Sequence, residues 1–130
     1  MNSLALVDAA RAARNHAHAP YSRYPVGAAV LTGSGHVFTG TNVENASFGL
    51  TVCAERSAIF AMVAAGERDP VAVAVVTTDG AAPCGACRQV LREFASDLQI
   101  LIARPSGDPI TRTLVDLLPE PFGPEFPSSA

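Results

Sequence analysis

Two short segments carry the residues whose types and spacing could do chemistry. They are Cys53-Ala54-Glu55 and, further along the chain, Pro83-Cys84-Gly85-Ala86-Cys87. Both lie where a helix is predicted to begin, and there the unpaired N–H groups and the positive end of the helix dipole lower thiol pKa values. The three cysteines exclude a full disulfide framework, because their number is odd. Three thiolates are, however, three ligands for a zinc ion.

The occupant of the fourth coordination position on such a zinc ion decides whether the site is structural or catalytic. A closed structural site takes a fourth protein ligand, whereas a catalytic zinc keeps that position open to bind and activate water. Glu55 follows Cys53 in the first turn of the predicted helix, where it cannot easily bind the same metal but can lean over its open side. A general base needs that placement. The pattern therefore favours a catalytic zinc site.

Two other interpretations stay open at this point. A histidine could close the coordination sphere and make a non-enzymatic structural or sensing module, but none stands at a recognisable spacing from the cysteines: His16, His18 and His36. Alternatively, Cys84 and Cys87 match the Cys-x-x-Cys of a thioredoxin-like redox pair, although that motif explains neither Cys53 nor Glu55.

The elements that must position these segments follow from the apolar pattern. Apolar residues at helical spacing predict helices over 3–18, 53–65 and 84–95, with Ser3 as a candidate cap of the first. The second helix carries no charge between Arg56 and Glu67, so it is predicted to be buried all round. One small domain cannot easily cover such a helix, which favours an oligomer.

Short runs rich in β-branched residues predict the strands. They lie at 26–31, 36–41, 71–76 and 99–103, and 110–118 is predicted as a short strand or turn that leads into a short helix. The turn at 32–35 predicts that the first two strands form a hairpin, and 42–51 is predicted as a loop. Helices that alternate with strands over one core predict an α/β domain of three layers, with helices on both sides of a mixed, roughly five-stranded sheet.

Length and composition limit the remaining possibilities. The 130 residues predict a single domain over 1–130, in which 119–130 is a proline-rich tail that runs extended over the surface. With 48% hydrophobic and 16% charged residues, most of the chain has enough apolar surface to fold. The net charge is -3 and the nine basic residues form no patch, so we expect no binding to long nucleic acids. The apolar start is too short for a membrane span or a secretory signal, and we expect a cytoplasmic protein.

The motifs, taken together and in order, resemble the small homotetrameric zinc-dependent cytidine deaminases of pyrimidine salvage. The resemblance covers most of the chain and rests on several segments: Tyr21-Ser22-Arg23-Tyr24-Pro25-Val26-Gly27-Ala28-Ala29, Asn42-Val43-Glu44-Asn45-Ala46-Ser47, Cys53-Ala54-Glu55-Arg56, Pro83-Cys84-Gly85-Ala86-Cys87, Leu117-Leu118-Pro119 and Phe122-Gly123-Pro124. It implies the cytidine-deaminase-like version of the three-layer fold.

The resemblance also implies a reaction. Cys53, Cys84 and Cys87 would hold one Zn²⁺ per subunit, and a water or hydroxide on the open position would attack C4 of the cytosine ring. Glu55 would take the proton of that water, pass it to ring N3 and later protonate the departing amine. Arg56 would hydrogen bond to cysteine sulfurs and withdraw some of their charge. The products would be uridine or 2′-deoxyuridine and ammonia.

Further residues are assigned to the nucleoside by the same resemblance. Asn42 and Glu44 would bind the ribose hydroxyls, although this pair could instead only shape a turn, and the backbone N–H of Ala54 would contact the pyrimidine carbonyl. Phe122 matches the aromatic residue that family members place against the ring. Tyr24 stands where many members have Phe, so its hydroxyl needs a partner.

Four subunits complete one another's pockets in this family, which implies a homotetramer of D2 symmetry. Phe48 stands where an aromatic residue, commonly Tyr, reaches a neighbouring subunit's site. The expected substrate is a free nucleoside, without a nucleic acid or a membrane as partner. A zinc deaminase of another ring, such as blasticidin S, guanine or tRNA adenine, remains the enzymatic alternative.

Overall fold

The computed structural model describes residues 2–123, and within them five strands and four helices alternate along the chain. The strands are β1 (Gly27–Thr32), β2 (Val37–Thr41), β3 (Pro70–Val76), β4 (Gln99–Ala103) and β5 (Ile110–Thr113). The helices are α1 (Ser3–Arg14), α2 (Ala54–Ala64), α3 (Gly85–Phe94) and α4 (Leu114–Leu117), and a short 3₁₀ turn spans Phe48–Leu50. The remaining part of the predicted tail, 124–130, lies outside the described residues.

The strands form one mixed sheet in the order β2-β1-β3-β4-β5. The pairs β1–β2, β1–β3 and β4–β5 are antiparallel, whereas β3 and β4 are parallel. A parallel pair needs a crossover, and α3 supplies it between β3 and β4. The predicted hairpin and the mixed sheet are both confirmed.

Helices cover both faces of this sheet because side chains alternate along each strand. On β3, Val73 and Val75 point into a core shared with α2 and α3. The neighbouring Ala74 and Val76 point into a second core against α1. The three-layer α/β/α arrangement is therefore confirmed.

None of the helices within residues 2–123 has the length and hydrophobicity that a membrane-spanning helix requires.

The first helix differs from its prediction at both ends. Asn2, rather than Ser3, caps it, with the Asn2 side chain accepting a hydrogen bond from the N–H of Ala5 at 2.8 Å. The helix ends at Arg14 instead of continuing to residue 18. The chain leaves the helix because the backbone of His18 pairs with a distant segment, donating to the Asn42 carbonyl and accepting from the Glu44 N–H.

The second helix is not covered on all sides within one chain, and burial of its outer face in an oligomer stays a prediction. Ala58, Ile59 and Met62 lie in the core, but Phe60 is 53% exposed and Ala61 is exposed beside it. Apolar periodicity cannot distinguish a face that packs on its own sheet from a face that the chain leaves uncovered.

Gly40 lets α2 approach the hairpin closely. A Cβ placed at Gly40 would lie 2.4 Å from the Ala58 nitrogen and 2.5 Å from the Ala54 oxygen. Both contacts are with backbone atoms of α2, which cannot swing aside as a flexible side chain does. Gly40 therefore fixes the height of the first turn of α2 above the sheet, and that turn follows Cys53.

We expect Gly40→Ala to destabilise the fold by about 1–3 kcal/mol, because the added methyl group overpacks a site bounded by backbone. The displaced helix should also weaken metal retention. Chemical denaturation and metal analysis measure the two effects. Gly49→Ala is the control, since a Cβ at Gly49 meets nothing within 4 Å. Equal stability of the two variants would show that Gly40 does not set this contact.

Glu67, just beyond α2, ties that end of the helix to the hairpin turn. Its carboxylate accepts a hydrogen bond from the Ser34 hydroxyl and interacts with the His36 ring. The hydroxyl groups of Ser34 and Thr32, followed by His36, lower the pKa of Glu67 to about 2. A depressed carboxyl pKa means that the charged form stabilises the fold.

We expect Glu67→Gln to lower the midpoint of unfolding at neutral pH and to flatten its acid dependence. The charged carboxylate contributes fully above its ordinary pKa of 4.5, and this contribution is lost as the pH falls toward about 2. Thermal unfolding measured across that window tests this. Glu120→Gln, a change at an exposed glutamate, is the control and should keep the wild-type slope. A wild-type slope in Glu67→Gln would contradict the assignment.

Candidate active site

The three cysteines meet where two helices begin. Cys53 is the N-cap residue of α2, Cys84 is the N-cap residue of α3, and Cys87 lies buried in the first turn of α3. The Sγ atoms of Cys53 and Cys84 are 3.8 Å apart, and those of Cys84 and Cys87 are 3.4 Å apart. The sulfur cluster therefore lies at the positive ends of both helix dipoles.

The sulfur geometry fits a zinc ion. All three Sγ atoms lie within 4.8 Å of one another, and no disulfide joins them. Tetrahedral zinc with Zn–S bonds of about 2.3 Å places its sulfur ligands about 3.8 Å apart. Within residues 2–123, no histidine or carboxylate belongs to the cluster. The described chain thus supplies three ligands, and the histidine needed for a closed site is not among them.

Electrostatics prepares one of the thiols for metal binding. Interaction with Cys87, together with Arg56 and Cys84, lowers the pKa of Cys53 to about 5 against the opposing effect of burial. The pKa of Cys87 is raised, because Cys53 and burial both disfavour a second negative charge. A bound cation removes that penalty, since coordination deprotonates a thiol.

Arg56 lies against the sulfur of Cys53. Its Nη2 donates to Cys53 Sγ at 3.4 Å, and its Nε is buried without a hydrogen-bond partner in the described chain. Contact with Cys53 raises the pKa of the guanidinium. A half-buried guanidinium beside three thiolates offsets part of their negative charge, which supports their proposed role as a ligand set.

Glu55 is buried beside the cluster, with 4% of the residue exposed. Burial raises its pKa to about 7, and the negative charge on Cys53 adds to this shift while Arg56 opposes it. A carboxyl group with a pKa near neutrality can both accept and release a proton. This combination of burial and a shifted pKa is characteristic of a proton-transfer residue.

A cavity of about 340 Å³ opens beside the cysteines and Glu55, large enough for a small ligand. Seven of the residues singled out in the sequence line it: Tyr24, Asn42, Glu44, Cys53, Ala54, Glu55 and Cys84. The structure therefore brings the sulfur cluster, the buried carboxylate and the residues assigned to the sugar into one space.

Asn42 makes a structural contact as well as lining the cavity. Its Oδ1 accepts from the N–H of Val26 at 2.9 Å, and its Nδ2 donates to the Tyr24 carbonyl at 2.8 Å. An amide side chain has one further N–H and one further lone pair, which remain for a ligand. The alternative that Asn42 shapes the local backbone is thus part of its function and does not exclude binding.

Glu44 is held as a charged group at the same wall. One carboxylate oxygen accepts from the N–H groups of Tyr21 and Ser22, at 2.9 and 3.1 Å, and the other accepts from the Ser22 hydroxyl. The Ser22 hydroxyl is the main cause that lowers the pKa of Glu44. A carboxylate fixed in this way presents its remaining lone pairs to hydroxyl donors.

Two predicted aromatic contacts lie outside this cavity in the single chain. Phe48 is 72% exposed and packs edge-on against Tyr21 in a neighbouring depression, with ring centroids 5.6 Å apart. Phe122 is 89% exposed. The side chain of Gln89 holds its backbone through two hydrogen bonds of 3.1 Å. The roles assigned to Phe48 and Phe122 remain predictions.

Several lining residues were missed by the sequence analysis. They are Ser22, Val26, Thr51, Val75, Thr77, Ala81 and Ala82. Thr77 had a usable signal: it is the first polar residue after the buried strand β3, and ligands in α/β proteins bind beyond the carboxyl ends of such strands. The two alanines had none, because nothing in their residue type distinguishes a cavity wall from an ordinary loop.

Comparisons with known proteins agree with this geometry. A cytidine deaminase from Halalkalibacterium halodurans is 46% identical over 128 residues, which cover 96% of this chain and 97% of that protein. The crystal structure of a cytidine deaminase from Burkholderia pseudomallei matches with a TM-score of 0.90 and 50% identity, covering 94% of this chain and 100% of that chain. The crystal structure of a cytidine deaminase from Mycobacterium tuberculosis matches with a TM-score of 0.82 and 42% identity, covering 95% of this chain and 98% of that chain.

The matching family model is described as the zinc-binding region of cytidine and deoxycytidylate deaminases, and it covers residues 2–102. That range contains the three cysteines, Glu55 and the predicted sugar-binding pair. By this model and by these relatives, the chain belongs to the zinc-dependent cytidine and deoxycytidylate deaminase family.

Proposed function

We propose that this protein catalyses the hydrolytic deamination of cytidine and 2′-deoxycytidine to uridine and 2′-deoxyuridine, with release of ammonia. The observation that carries the proposal is the position of buried Glu55 beside three converging sulfurs at the wall of a ligand-sized cavity. The names of the related proteins support the choice of nucleoside.

Cys53, Cys84 and Cys87 are the residues that would hold zinc. If bound there, the ion would supply Lewis acidity that makes water more acidic at the cavity wall. Arg56 offsets part of the charge of the thiolates through its contact with Cys53 Sγ. The net charge of a three-thiolate site would otherwise weaken the metal as a Lewis acid.

Glu55 is the proposed proton carrier. Water adds to C4 of the cytosine ring and the C4–N bond to the amino group then breaks, so protons must move from the water to ring N3 and to the leaving nitrogen. A single carboxyl group with a pKa of about 7 can make both transfers, because neither protonation state is strongly disfavoured near neutrality.

The rest of the cavity suits a nucleoside. Glu44 and the free hydrogen-bonding positions of Asn42 would bind ribose hydroxyls, and the Ala54 N–H at the start of α2 would contact the pyrimidine carbonyl. The ring of Tyr24 would pack against the base. The chain carries a net charge of -3, so a free nucleoside suits it better than a polynucleotide.

The active form is proposed to be a homotetramer of D2 symmetry. Support comes from the apolar residues that the single chain leaves exposed on α2, with Phe60 as the largest, and from Phe48 and Phe122, which point outside their own cavity. In the assembly these two aromatic residues would contribute to neighbouring sites.

We further propose that residues 1–130 act as one domain, since both described cores share one sheet.

The place of action is proposed to be the cytoplasm, in pyrimidine salvage. No disulfide joins the three cysteines, although their sulfurs lie close together. Reduced cysteines persist in a reducing compartment. Deamination of free nucleosides would feed uridine nucleosides back into use.

Purified zinc-loaded protein is expected to convert cytidine and 2′-deoxycytidine completely, as followed by the loss of cytidine absorbance and the release of ammonia. Glu55→Gln should lower kcat by about 10²–10⁴-fold while retaining zinc, because it removes the proton carrier and leaves the sulfurs in place. Metal analysis of both proteins shows whether the zinc is retained.

Glu93→Gln is the matched control, since Glu93 is exposed on α3, and its turnover should equal that of the wild type. A zinc-loaded wild type that leaves cytidine intact but deaminates blasticidin S, guanine or tRNA adenine would replace the proposed substrate. Turnover of Glu55→Gln near the wild-type level would remove Glu55 from the mechanism.

Analytical ultracentrifugation should give the mass of four chains for the wild type and a smaller species for Phe60→Glu, because a charge on the exposed face of α2 opposes its burial between subunits. Leu4→Glu, a charge on an exposed apolar position of α1, is the control and should remain tetrameric. An active wild-type monomer would contradict the proposed assembly.

A further inference from the structure

Two separate stretches of chain form facing walls of the cavity. One is the segment 22–26, which contributes Ser22, Tyr24 and Val26, and the other is the loop 77–84 between β3 and α3. The second wall ends at Cys84, so its position matters to the sulfur cluster as well as to the ligand. A contact between the walls would set the width of the cavity.

Asp79 makes that contact. One oxygen of its carboxylate accepts from the Tyr24 hydroxyl at 2.5 Å and from the Thr77 hydroxyl at 3.4 Å. Its backbone carbonyl accepts from Arg104 Nε at 3.3 Å. Asp79 does not line the candidate active site but borders a neighbouring cavity of about 330 Å³. Asp79 therefore contacts Tyr24 from outside the candidate active-site cavity.

The backbone of Tyr24 is already fixed on its own side. Its N–H donates to Ser22 Oγ at 3.0 Å, and its carbonyl accepts from Asn42 Nδ2 at 2.8 Å. Arg23, directly before it, has a φ of 55°, in the left-handed region that costs energy for a residue with a side chain. With the backbone fixed, the remaining freedom is rotation of the aromatic side chain, and the bond to Asp79 removes it.

The loop on the other side is also anchored. Thr77 Oγ1 accepts from the Ala81 N–H at 2.7 Å, and Arg14 donates to Thr78 Oγ1 at 3.0 Å. Arg14 reaches the first wall as well, through a 2.9 Å hydrogen bond to the Pro25 carbonyl. Arg14 thus links the two stretches, and the bond to Asp79 fixes the position of the Tyr24 ring relative to the loop.

We propose that Asp79 is a positioning residue that sets the affinity for the substrate base by orienting Tyr24. The hydroxyl of Tyr24 is occupied by Asp79 outside the cavity lining, which leaves the ring to pack against the base. This inference rests on the proposed function and adds Asp79 as a determinant of substrate affinity.

The test is a double-mutant cycle with zinc-loaded protein and cytidine. Tyr24→Phe and Asp79→Ala should each raise KM by roughly three- to tenfold, as expected for loss of a charge-assisted hydrogen bond at a partly exposed site. We expect kcat to change by less than about twofold, because uniform binding is lost rather than a contact made only in the transition state. The double variant should be no worse than the worse single variant.

Two further variants separate positioning from a general effect on folding. Asp79→Asn keeps an oxygen that accepts from the Tyr24 hydroxyl, so it should restore most of the lost affinity. Asp108→Ala removes a carboxylate that borders the same neighbouring cavity and should leave KM unchanged. Zinc content and thermal stability are measured for every variant.

Unchanged KM in Asp79→Ala, with or without a loss of thermal stability, would overturn the proposal and leave Asp79 a structural residue. Additive effects of Tyr24→Phe and Asp79→Ala would overturn it too, since residues that act through one bond cannot add. These outcomes presuppose a wild type that deaminates cytidine. A zinc-loaded wild type without that activity would instead overturn the proposed function, and the role of Asp79 with it.

Discussion

Three sulfur atoms within 4.8 Å of one another are the constraint on which the rest of the structure depends. Thiolates at that spacing repel one another, so the cluster needs nearby positive charge. The fold supplies part of this positive charge from the N-termini of α2 and α3 and from Arg56. The metal that the sulfurs would hold would supply the rest. Both helices must therefore begin at one point, and the sheet makes this possible because Gly40 admits α2 closely while β3 leads into α3.

Two carboxylates share the cavity and are shifted in opposite directions by their surroundings. Glu55 lies buried beside negative sulfur, which raises its pKa to about 7. Glu44 accepts hydrogen bonds from Ser22 and from backbone N–H groups, which lower its pKa. A difference in pKa between two carboxyl groups of one site suits them to different roles. In the proposed function the first carries a proton, and the second binds the ribose hydroxyl groups as a charged carboxylate.

The aromatic residues differ in whether their side chains find partners within one chain or stay exposed. Tyr24 finds its partner in Asp79 and faces the cavity of its own chain. Phe48, Phe60 and Phe122 remain largely exposed. Several large apolar side chains exposed on one small chain often mark surfaces that another protein molecule covers. The division is consistent with a site whose chemistry lies in one chain and whose enclosure depends on neighbours.

The amino-acid sequence by itself determined the alternation of strands and helices and was enough to propose the zinc ligands and the proton carrier, because residue type and local periodicity act over short stretches. Only the tertiary structure decided which distant groups meet. It placed Asn42 on the backbone around Tyr24, gave the Tyr24 hydroxyl to Asp79, ended α1 at Arg14 and left Phe60 uncovered. Each of these depends on residues far apart in the chain, whose contacts arise from packing and carry no pattern within any one segment.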